Sequence, residues 1–408
     1  MQKPELLAPA GNLEKLKFAL VYGADAVYCG GYNFGLRAGA DNFSREELQE
    51  GAEFAHNLGK RVYVTVNMIL HNDDLEGLPD YLHTLEALEV DGLIVSDPGV
   101  IFLLEEERIN LPVHLSTQAN TVNRLSARFW QNQGLKRIIL ARELSREEIR
   151  EIRDYVDLEL EIFIHGAMCI SYSGRCLLSN YMADRDANRG ECAHSCRWQY
   201  HLQEEERPGE YYPVFEDEKG TYILNSRDLC LIEYIPEIIA TGIDSLKIEG
   251  RMKGLHYLAA VTSVYRRALD TYFSVPESYE FKPEWLEELK KVSHRGYTDG
   301  FFTGKPGPGD HNYDSSAYRR TYDFMGIVRD YLPENDEAVV EVRHKFFRGD
   351  TVEFIGPEME PVISRVEYII NEEGKKVAEA PHPRELIRIP VEKKLQEYCL
   401  VRRERKCE

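Results

Sequence analysis

Eight short, β-rich apolar runs, separated by stretches of helical periodicity, constrain the fold of this 408-residue chain more than any other feature. The runs are residues 6–8, 26–29, 62–66, 93–95, 113–115, 138–140, 162–164 and 246–248. Apolar strands that alternate with helices are typical of a parallel sheet buried on both faces. Because no run is followed by a G-x-G-x-x-G phosphate loop, we expect a TIM-like (β/α)8 barrel, an α/β fold, rather than an open doubly wound sheet.

The same patterns divide the chain into three parts. The barrel is expected over residues 1–275, with a cysteine-rich insertion at about 165–230, where the alternation of strands and helices breaks. A linker region follows at 276–321 and includes a Gly- and Pro-rich breaker cluster at 304–309. Short β patterns then predict a small C-terminal all-β barrel over 322–408.

The positions directly after the predicted barrel strands are small, polar or charged, whereas the strands themselves are apolar. They are residues 9–11, 30–31, 67, 96–97, 116–118, 142–143, 165–166 and 249–251. Barrels of this class carry their chemistry on the loops after the strands. The contrast indicates a functional rim, although the general polarity of loops accounts for part of the list.

Charge and hydropathy exclude several functional classes. A net charge of −20 argues against broad electrostatic adhesion to nucleic acid or to an anionic membrane, but leaves a local basic patch open. No apolar stretch is long enough for a membrane span, and no export signal is recognisable at the N-terminus. We therefore expect a cytoplasmic protein without a membrane partner.

The cysteines are clustered: five of the 8 lie between residues 169 and 230. In a large cytoplasmic chain this distribution indicates metal ligation or redox chemistry rather than a disulfide framework. Four thiolates satisfy an iron–sulfur cubane, but the spacing alone leaves zinc equally open. Within the cluster, Cys192 and Cys196 compete for the third ligand position after Cys169 and Cys176, and Cys230 is the fourth candidate.

Five motifs of this chain resemble those of the collagenase-like peptidase family U32. They are EIFIHGAMC (161–169), GRCLLS (174–179), ELLAPAG (5–11), RDANRG (185–190) and KIEGR (247–251). The resemblance runs across nearly the whole chain and includes the C-terminal barrel of the longer members. It implies a [4Fe-4S] cluster held by Cys169, Cys176, Cys192 and Cys230, with zinc as the alternative metal.

The resemblance also implies an activity. Long members of the family are expected to hydroxylate wobble uridine in tRNA to 5-hydroxyuridine without molecular oxygen, with prephenate as the co-substrate. A dicarboxylate of this kind requires guanidinium groups, and Arg37, Arg142, Arg175 and Arg251 are candidates near strand ends, each with a rim salt bridge as the alternative. His165 lies beside the segment that carries Cys169 and Cys176 (residues 168–176), which we call the cysteine loop. It is a further candidate site residue, either as a base or as a support for the ligands.

Several alternatives remain open from the sequence. A metal-dependent collagenase-like peptidase fits the family name, although neither H-E-x-x-H nor G-x-S-x-G occurs, and a non-catalytic scaffold stapled by its metal is also consistent. The partners are then tRNA, the small dicarboxylate and, where one is needed, a second family member as hetero-partner. Candidates for RNA contact are stacking tyrosines and a C-terminal basic cluster, whose members could equally be core or solubilising residues: Tyr28, Tyr172, Tyr181; Lys345, Arg348, Arg402, Arg403, Arg405 and Lys406.

Overall fold

The computed structural model describes most of the chain outside the cysteine-rich insertion. The described residues are 2–32, 34, 42–169, 171–172, 175–176, 178–183, 185, 187–189, 192–193, 195, 201–202, 212–213, 225–306, 310–312, 318–357 and 360–405.

The first three-quarters of the chain alternate strands with helices. The strands are β1 (Glu5–Ala10), β2 (Ala26–Gly30), β3 (Arg61–Val66), β4 (Gly92–Val95), β5 (Val113–Leu115), β6 (Arg137–Ile139), β7 (Glu159–Ala167), β8 (His201–Leu202), β9 (Tyr212–Pro213), β10 (Asn225–Ser226), β11 (Asp228–Cys230), β12 (Ser245–Ile248), β13 (Tyr297–Thr298) and β14 (His311–Asn312). The helices are α1 (Leu13–Val21), α2 (Arg45–Asn57), α3 (Leu78–Ala87), α4 (Pro98–Glu106), α5 (Arg124–Asn132), α6 (Arg146–Arg153), α7 (Leu178–Ala183), α8 (Ile235–Ala240), α9 (Leu255–Ser274) and α10 (Pro283–Lys290). Side-chain caps start several helices, with complete capping boxes at Ser44 and Ser145.

Eight parallel strands close into a barrel and confirm the predicted fold class. Strands β1 to β7 pair in chain order, and β12 closes the ring by pairing in parallel with both β7 and β1. Each of the eight predicted apolar runs coincides with one of these strands. Since all eight strands run the same way, their carboxyl ends meet at one face, which we call the mouth, and their amino ends form the opposite face, the floor.

The cysteine-rich insertion leaves the barrel at the end of β7 and returns through β11. Strand β11 pairs antiparallel with the last residues of β7, so that Cys230 lies opposite His165 and Asp228 lies opposite Ala167. Strand β13 adds to β11 in parallel. The region predicted as a linker therefore contains regular structure, including α10 and β13.

A charged network fills the floor of the barrel. The Arg137 guanidinium contacts the carboxylates of Glu5 at 2.6 Å and Glu161 at 3.0 Å, and the Lys247 ammonium contacts Glu161 at 3.0 Å. All of these side chains are buried. Burial acts to raise the pKa of Glu161, but the charges of Lys247 and Arg137 outweigh it and hold that pKa below the ordinary value. The carboxylate therefore stays ionised and is satisfied by two cations.

The C-terminal part folds as an antiparallel half-barrel. Its strands are β15 (Tyr322–Leu332), β16 (Glu337–Val342), β17 (Phe346–Phe347), β18 (Thr351–Ile355), β19 (Val362–Arg365), β20 (Ile369–Ile370), β21 (Lys376–Val377), β22 (Glu379–Ala380), β23 (Leu386–Pro390) and β24 (Leu400–Glu404). Eight of them form one sheet in the order β19-β18-β24-β15-β16-β23-β20-β21, and β17 pairs with β22. Its own apolar core includes Val340, Phe354 and Ile389.

The half-barrel packs against the outer helices of the barrel. Ile355 and Leu400 share an apolar core with Leu258 of α9. Arg402 of β24 is fully buried and donates to Glu288 of α10 at 2.9 Å. The two parts are thus joined by both apolar and ionic contacts. None of the helices in the described ranges is long and apolar enough to cross a bilayer.

Candidate active site at the barrel mouth

Three of the predicted cysteine ligands share one neighbourhood at the mouth. Cys169 lies two residues beyond the end of β7. Burial raises the pKa of its thiol, and electrostatic interactions with Cys176 and Cys192 raise it further, while the Arg142 guanidinium lowers it. All three cysteines are free. The thiols of Cys176 and Cys192 therefore lie close enough to the thiol of Cys169 to interact with it electrostatically.

Asn188 fixes the central cysteine of this group. Its side-chain amide donates to the carbonyl of Cys176 at 3.0 Å and accepts from the backbone N–H of the same residue at 3.2 Å. The Asn188 carbonyl also accepts from the N–H of Ile69, which follows β3. A residue twelve positions further along the insertion thus holds Cys176 in place and ties it to the barrel rim.

Cys230 has different neighbours from the other three thiols. It is buried at the end of β11, where burial raises its pKa to about 12 and its sulfur lies 3.8 Å from the hydroxyl of Tyr265 on α9. Among the residues that the structure describes, no three His, Cys, Asp or Glu side chains are arranged to hold a metal ion. Cys196, the rival of Cys192, lies outside the described residues. As donors, thiolates suit a soft metal.

His165 lies beside Cys230 in an aromatic cage. Its ring is 1% exposed and packs against Tyr257, Tyr265 and Tyr297 at centroid distances of 5.3–5.8 Å. Burial lowers its pKa to about 3, so the imidazole is neutral at physiological pH. The next residue, Gly166, has φ +114°, and a Cβ there would lie 2.5 Å from the carbonyl of Glu249. Glycine at this position allows the ends of β7 and β12 to approach closely.

The predicted arginines occupy three different environments. The Arg142 guanidinium lies 4.4 Å from the centre of the Phe163 ring and donates to the carbonyl of Ala167, directly before the cysteine loop. Arg175 is exposed, and its Nε donates to the carbonyl of Gln118 at 2.7 Å. It therefore joins the cysteine loop to the loop after β5. Arg37 lies outside the described residues.

Arg251 is the most deeply buried of these arginines, with 4% exposure. Its Nη1 donates to the hydroxyl of Thr65 at 3.2 Å, so the side chain reaches from the end of β12 across to β3. A Cβ on Gly30 would lie 2.5 Å from the same nitrogen. The absence of a side chain at Gly30 therefore leaves the space that the guanidinium occupies.

A polar ring crosses the mouth between the loops after β3, β4 and β5. Ser96 donates to the carbonyl of Asn67 at 2.9 Å, and the side-chain amide of Asn67 donates to Gln118 Oε1 at 2.9 Å. Ser116 donates to the same oxygen at 3.2 Å. All four residues are among the predicted rim positions. Their mutual contacts require the closed barrel and could not be inferred from sequence spacing.

The tyrosines proposed for base stacking differ in accessibility. Tyr28 is buried, and its hydroxyl donates to Glu249 Oε2 at 3.1 Å, while its ring lies 4.2 Å from the Lys247 ammonium. Tyr172, next to the cysteine loop, is 52% exposed and is therefore able to contact a ligand. The side chain of Tyr181 is outside the described part of the structure.

Carboxylates and backbone groups engage most of the proposed C-terminal basic residues. Arg402 contacts Glu288 and Glu353, Arg403 contacts Asp350, and Arg405 contacts Asp323. Lys345 contacts Glu379, and Arg348 donates to the carbonyl of Glu367. Lys406 lies outside the described residues. Since one of these arginines is buried and four of the six residues pair with acids, the described members of the cluster do not form a free basic face, and the alternative of structural and solubilising roles is favoured.

Two residues at the site, Asn188 and Tyr265, were not predicted from the sequence. Asn188 stood in one of the recognised motifs, but nothing in the motif indicated that it clamps Cys176. Tyr265 is one apolar-face position of a long helix, and its contact with Cys230 depends on how α9 packs against β11. The first had a signal in the sequence, and the second had none.

Comparison with known proteins places the chain in a family. The family model described as peptidase family U32 matches residues 11–312, and the model of its C-terminal domain matches residues 320–402. The tRNA hydroxylation protein P1 of Bacillus subtilis is 47% identical over 98% of this chain and 95% of its own length. The tRNA hydroxylation protein P of Escherichia coli is 40% identical over 99% of this chain and 97% of its own length.

A relative with a different name also matches over nearly the full length. The collagenase of Porphyromonas gingivalis is 31% identical over 96% of this chain and 95% of its own length. The relatives thus carry two kinds of name, whereas the family models agree over both parts of the chain. The chain belongs to peptidase family U32.

Proposed function

We propose that this protein is an iron–sulfur tRNA hydroxylase, which converts wobble uridine to 5-hydroxyuridine without molecular oxygen and uses prephenate as co-substrate. The observation that carries the proposal is the 47% identity, over almost the full length of both chains, to a protein named for tRNA hydroxylation. The E. coli relative with the same kind of name, at 40% identity, supports it. tRNA is accordingly the proposed macromolecular substrate.

The thiols supply the proposed cofactor ligands. Cys169, Cys176 and Cys192, together with Cys230, would hold a [4Fe-4S] cluster, and zinc would use the same thiolates. When bound, such a cluster supplies electron transfer or an exposed iron that acts as a Lewis acid. The free state of all four cysteines and the electrostatic interactions of Cys169 with Cys176 and Cys192 support this assignment.

The chain's own residues would bind and shield the reactants. Arg251 is proposed to bind one carboxylate of the co-substrate, because its guanidinium is buried at the mouth and held by Thr65. Arg142 and Arg175 are proposed to keep the cysteine loop on the rim through their contacts with Ala167 and Gln118. Exposed Tyr172 offers a face on which a splayed-out base can stack.

Nucleoside analysis of tRNA tests this proposal. In a strain that lacks the gene, mass spectrometry of digested tRNA should show the loss of 5-hydroxyuridine and its derivatives. A plasmid with the wild-type gene should restore them, and a Cys169→Ser plasmid should not. An unchanged nucleoside profile in the deletion strain would overturn the proposal and is the result that a metal-stapled scaffold predicts. If a second family member is needed as hetero-partner, the purified chain should be inactive by itself and should gain activity when a cell extract is added.

A second candidate is a metal-dependent collagenase-like peptidase, which the 31% identity to the P. gingivalis collagenase favours. Protein purified without oxygen should distinguish the two. The hydroxylase is expected to be brown, with iron and sulfide, and to leave gelatin and collagen intact. A colourless zinc protein that cleaves collagen, and loses this activity on chelation, would favour the peptidase.

A further inference from the structure

The carboxamide of Gln118 has an unused donor at the barrel mouth. The residue is 5% exposed, and its Nε2 is buried without a hydrogen-bond partner in the structure. Buried amide nitrogens are almost always paired, because an unpaired donor gives up its hydrogen bonds to water. An exception at a functional rim therefore indicates a place where a ligand supplies the acceptor.

The other end of the same carboxamide is fixed. Gln118 Oε1 accepts from Asn67 at 2.9 Å and from Ser116 at 3.2 Å. With the oxygen occupied by two donors, the nitrogen points away from both. The N–H groups that remain are held in one orientation before any ligand binds, which lowers the entropy cost of recognition.

The position of Gln118 ties it to the proposed reaction centre. Its carbonyl accepts from Arg175 Nε at 2.7 Å, and Arg175 directly precedes Cys176. Two residues beyond Gln118, on the loop after β5, Asn120 Oδ1 is also buried without a partner. The loop after β5 thus offers one unused donor and one unused acceptor beside the cysteine loop.

We propose that Gln118 determines pyrimidine specificity by donating a hydrogen bond to the O4 carbonyl of a uracil base, an inference that rests on the proposed function. Uracil presents an acceptor at position 4 and a donor at N3. These two groups complement the unused nitrogen of Gln118 and the unused side-chain oxygen of Asn120, respectively. Cytosine presents an amino donor at position 4, so it opposes the Gln118 nitrogen donor to donor.

Binding of anticodon stem–loop RNAs tests the proposal with the full chain, purified without oxygen. Fluorescence anisotropy compares three RNAs that differ only at the wobble base: uridine, 4-thiouridine or cytidine. We expect wild type to bind the uridine RNA about tenfold more tightly than the cytidine RNA, the discrimination that one well-placed base contact provides. The 4-thiouridine RNA should fall between them, because sulfur is a weaker acceptor than oxygen.

Two variants then remove the donor. Gln118→Glu keeps the length of the side chain and replaces the donor with an acceptor, so the preference should invert in favour of cytidine. Gln118→Met removes the donor without adding charge, and its uridine-to-cytidine ratio should approach one. Gln133→Glu makes the same change of charge at an exposed position of α5's C-terminus and should keep the wild-type ratio.

The outcomes separate this inference from the proposed function. If wild type hydroxylates uridine RNA and both folded Gln118 variants retain its tenfold preference, the inference is wrong while the function stands. Equal affinity of the wild-type protein for all three RNAs would also overturn the inference. This comparison does not depend on the folding of any variant. If wild type hydroxylates no RNA under any condition, the proposed function itself fails.

Discussion

The floor and the mouth of the barrel both contain buried polar groups, but they use them in opposite ways. At the floor, Arg137, Glu161 and Lys247 neutralise one another within 3.0 Å. At the mouth, thiols are free and the amide nitrogen of Gln118 has no partner. The charged network at the floor pairs its carboxylates with cations and stabilises the fold, whereas the mouth keeps the Gln118 donor unused. Polar burial is therefore informative about function where it is unsatisfied, and about stability where it is satisfied.

The largest effect on stability is expected from the floor. Glu161→Gln keeps the side-chain volume but leaves two buried cations without their shared carboxylate, so unfolding should require about 3–5 kcal/mol less. Denaturant unfolding under matched conditions measures this difference. Glu147→Gln on the exposed face of α6 is the control and should match wild type within error. If the Glu161→Gln protein is as stable as wild type, the floor network is not a stabilising element.

The mouth should respond in substrate affinity rather than stability. Arg251→Lys keeps a positive charge but loses the bidentate geometry of a guanidinium, so the KM for the proposed dicarboxylate co-substrate should rise about tenfold with little change in melting temperature. Gly30→Ala, which crowds Arg251 Nη1 from the other side, should act in the same direction. Steady-state kinetics on anaerobic protein measure both variants. A change in kcat alone would argue that Arg251 does not bind the co-substrate.

An effect on stability that is smaller than that of the floor, and that depends on pH, is expected where the half-barrel meets the barrel. Burial acts to raise the pKa of Glu288, but its hydrogen bond to Arg402 and the Arg402 charge lower it to about 2. Because the folded pKa lies below the ordinary value, this stabilisation is complete above about pH 4.5 and is lost as the pH falls towards 2.

Thermal unfolding at a series of pH values tests this expectation. Glu288→Gln should reduce stability by about 2–3 kcal/mol at neutral pH, and its difference from wild type should shrink as the pH falls below 4.5. A difference that stays constant between pH 7 and pH 3 would show that ionised Glu288 does not hold the two parts together.

The sequence predicted the barrel well because strand periodicity is a local property. Each of the eight runs carries its own apolar pattern, so the strands could be located without knowledge of their partners. The floor network was not predicted, since Arg137 meets Glu5 and Glu161 only after the ring of strands closes. Strands β11 and β13 were not predicted, because strands of two or three residues are too short to show an apolar periodicity.

Candidate site residues could be named from local sequence, whereas their arrangement could not. Clustering of cysteines indicated Cys169 and Cys176, with Cys192 or Cys196 as the third ligand. The structure places Cys176 and Cys192 within electrostatic range of Cys169, and Cys196 lies outside the described residues. The environment of Cys230 depends on the register of β11 against β7 and on the packing of Tyr265 from α9, which are long-range properties. Arg251 was recognised as a rim residue, but its reach to Thr65 follows from the barrel geometry.

Activity per folded molecule, measured for one mouth variant and one floor variant, separates the roles of the two ends of the barrel. Cys169→Ser and Glu161→Gln are purified without oxygen, and the hydroxylation of uridine in tRNA is measured at a temperature where both are folded. We predict that Cys169→Ser melts like wild type but produces no 5-hydroxyuridine, while Glu161→Gln melts early but keeps wild-type turnover per folded molecule. Full activity of Cys169→Ser would contradict the assignment of the chemistry to the cysteine loop.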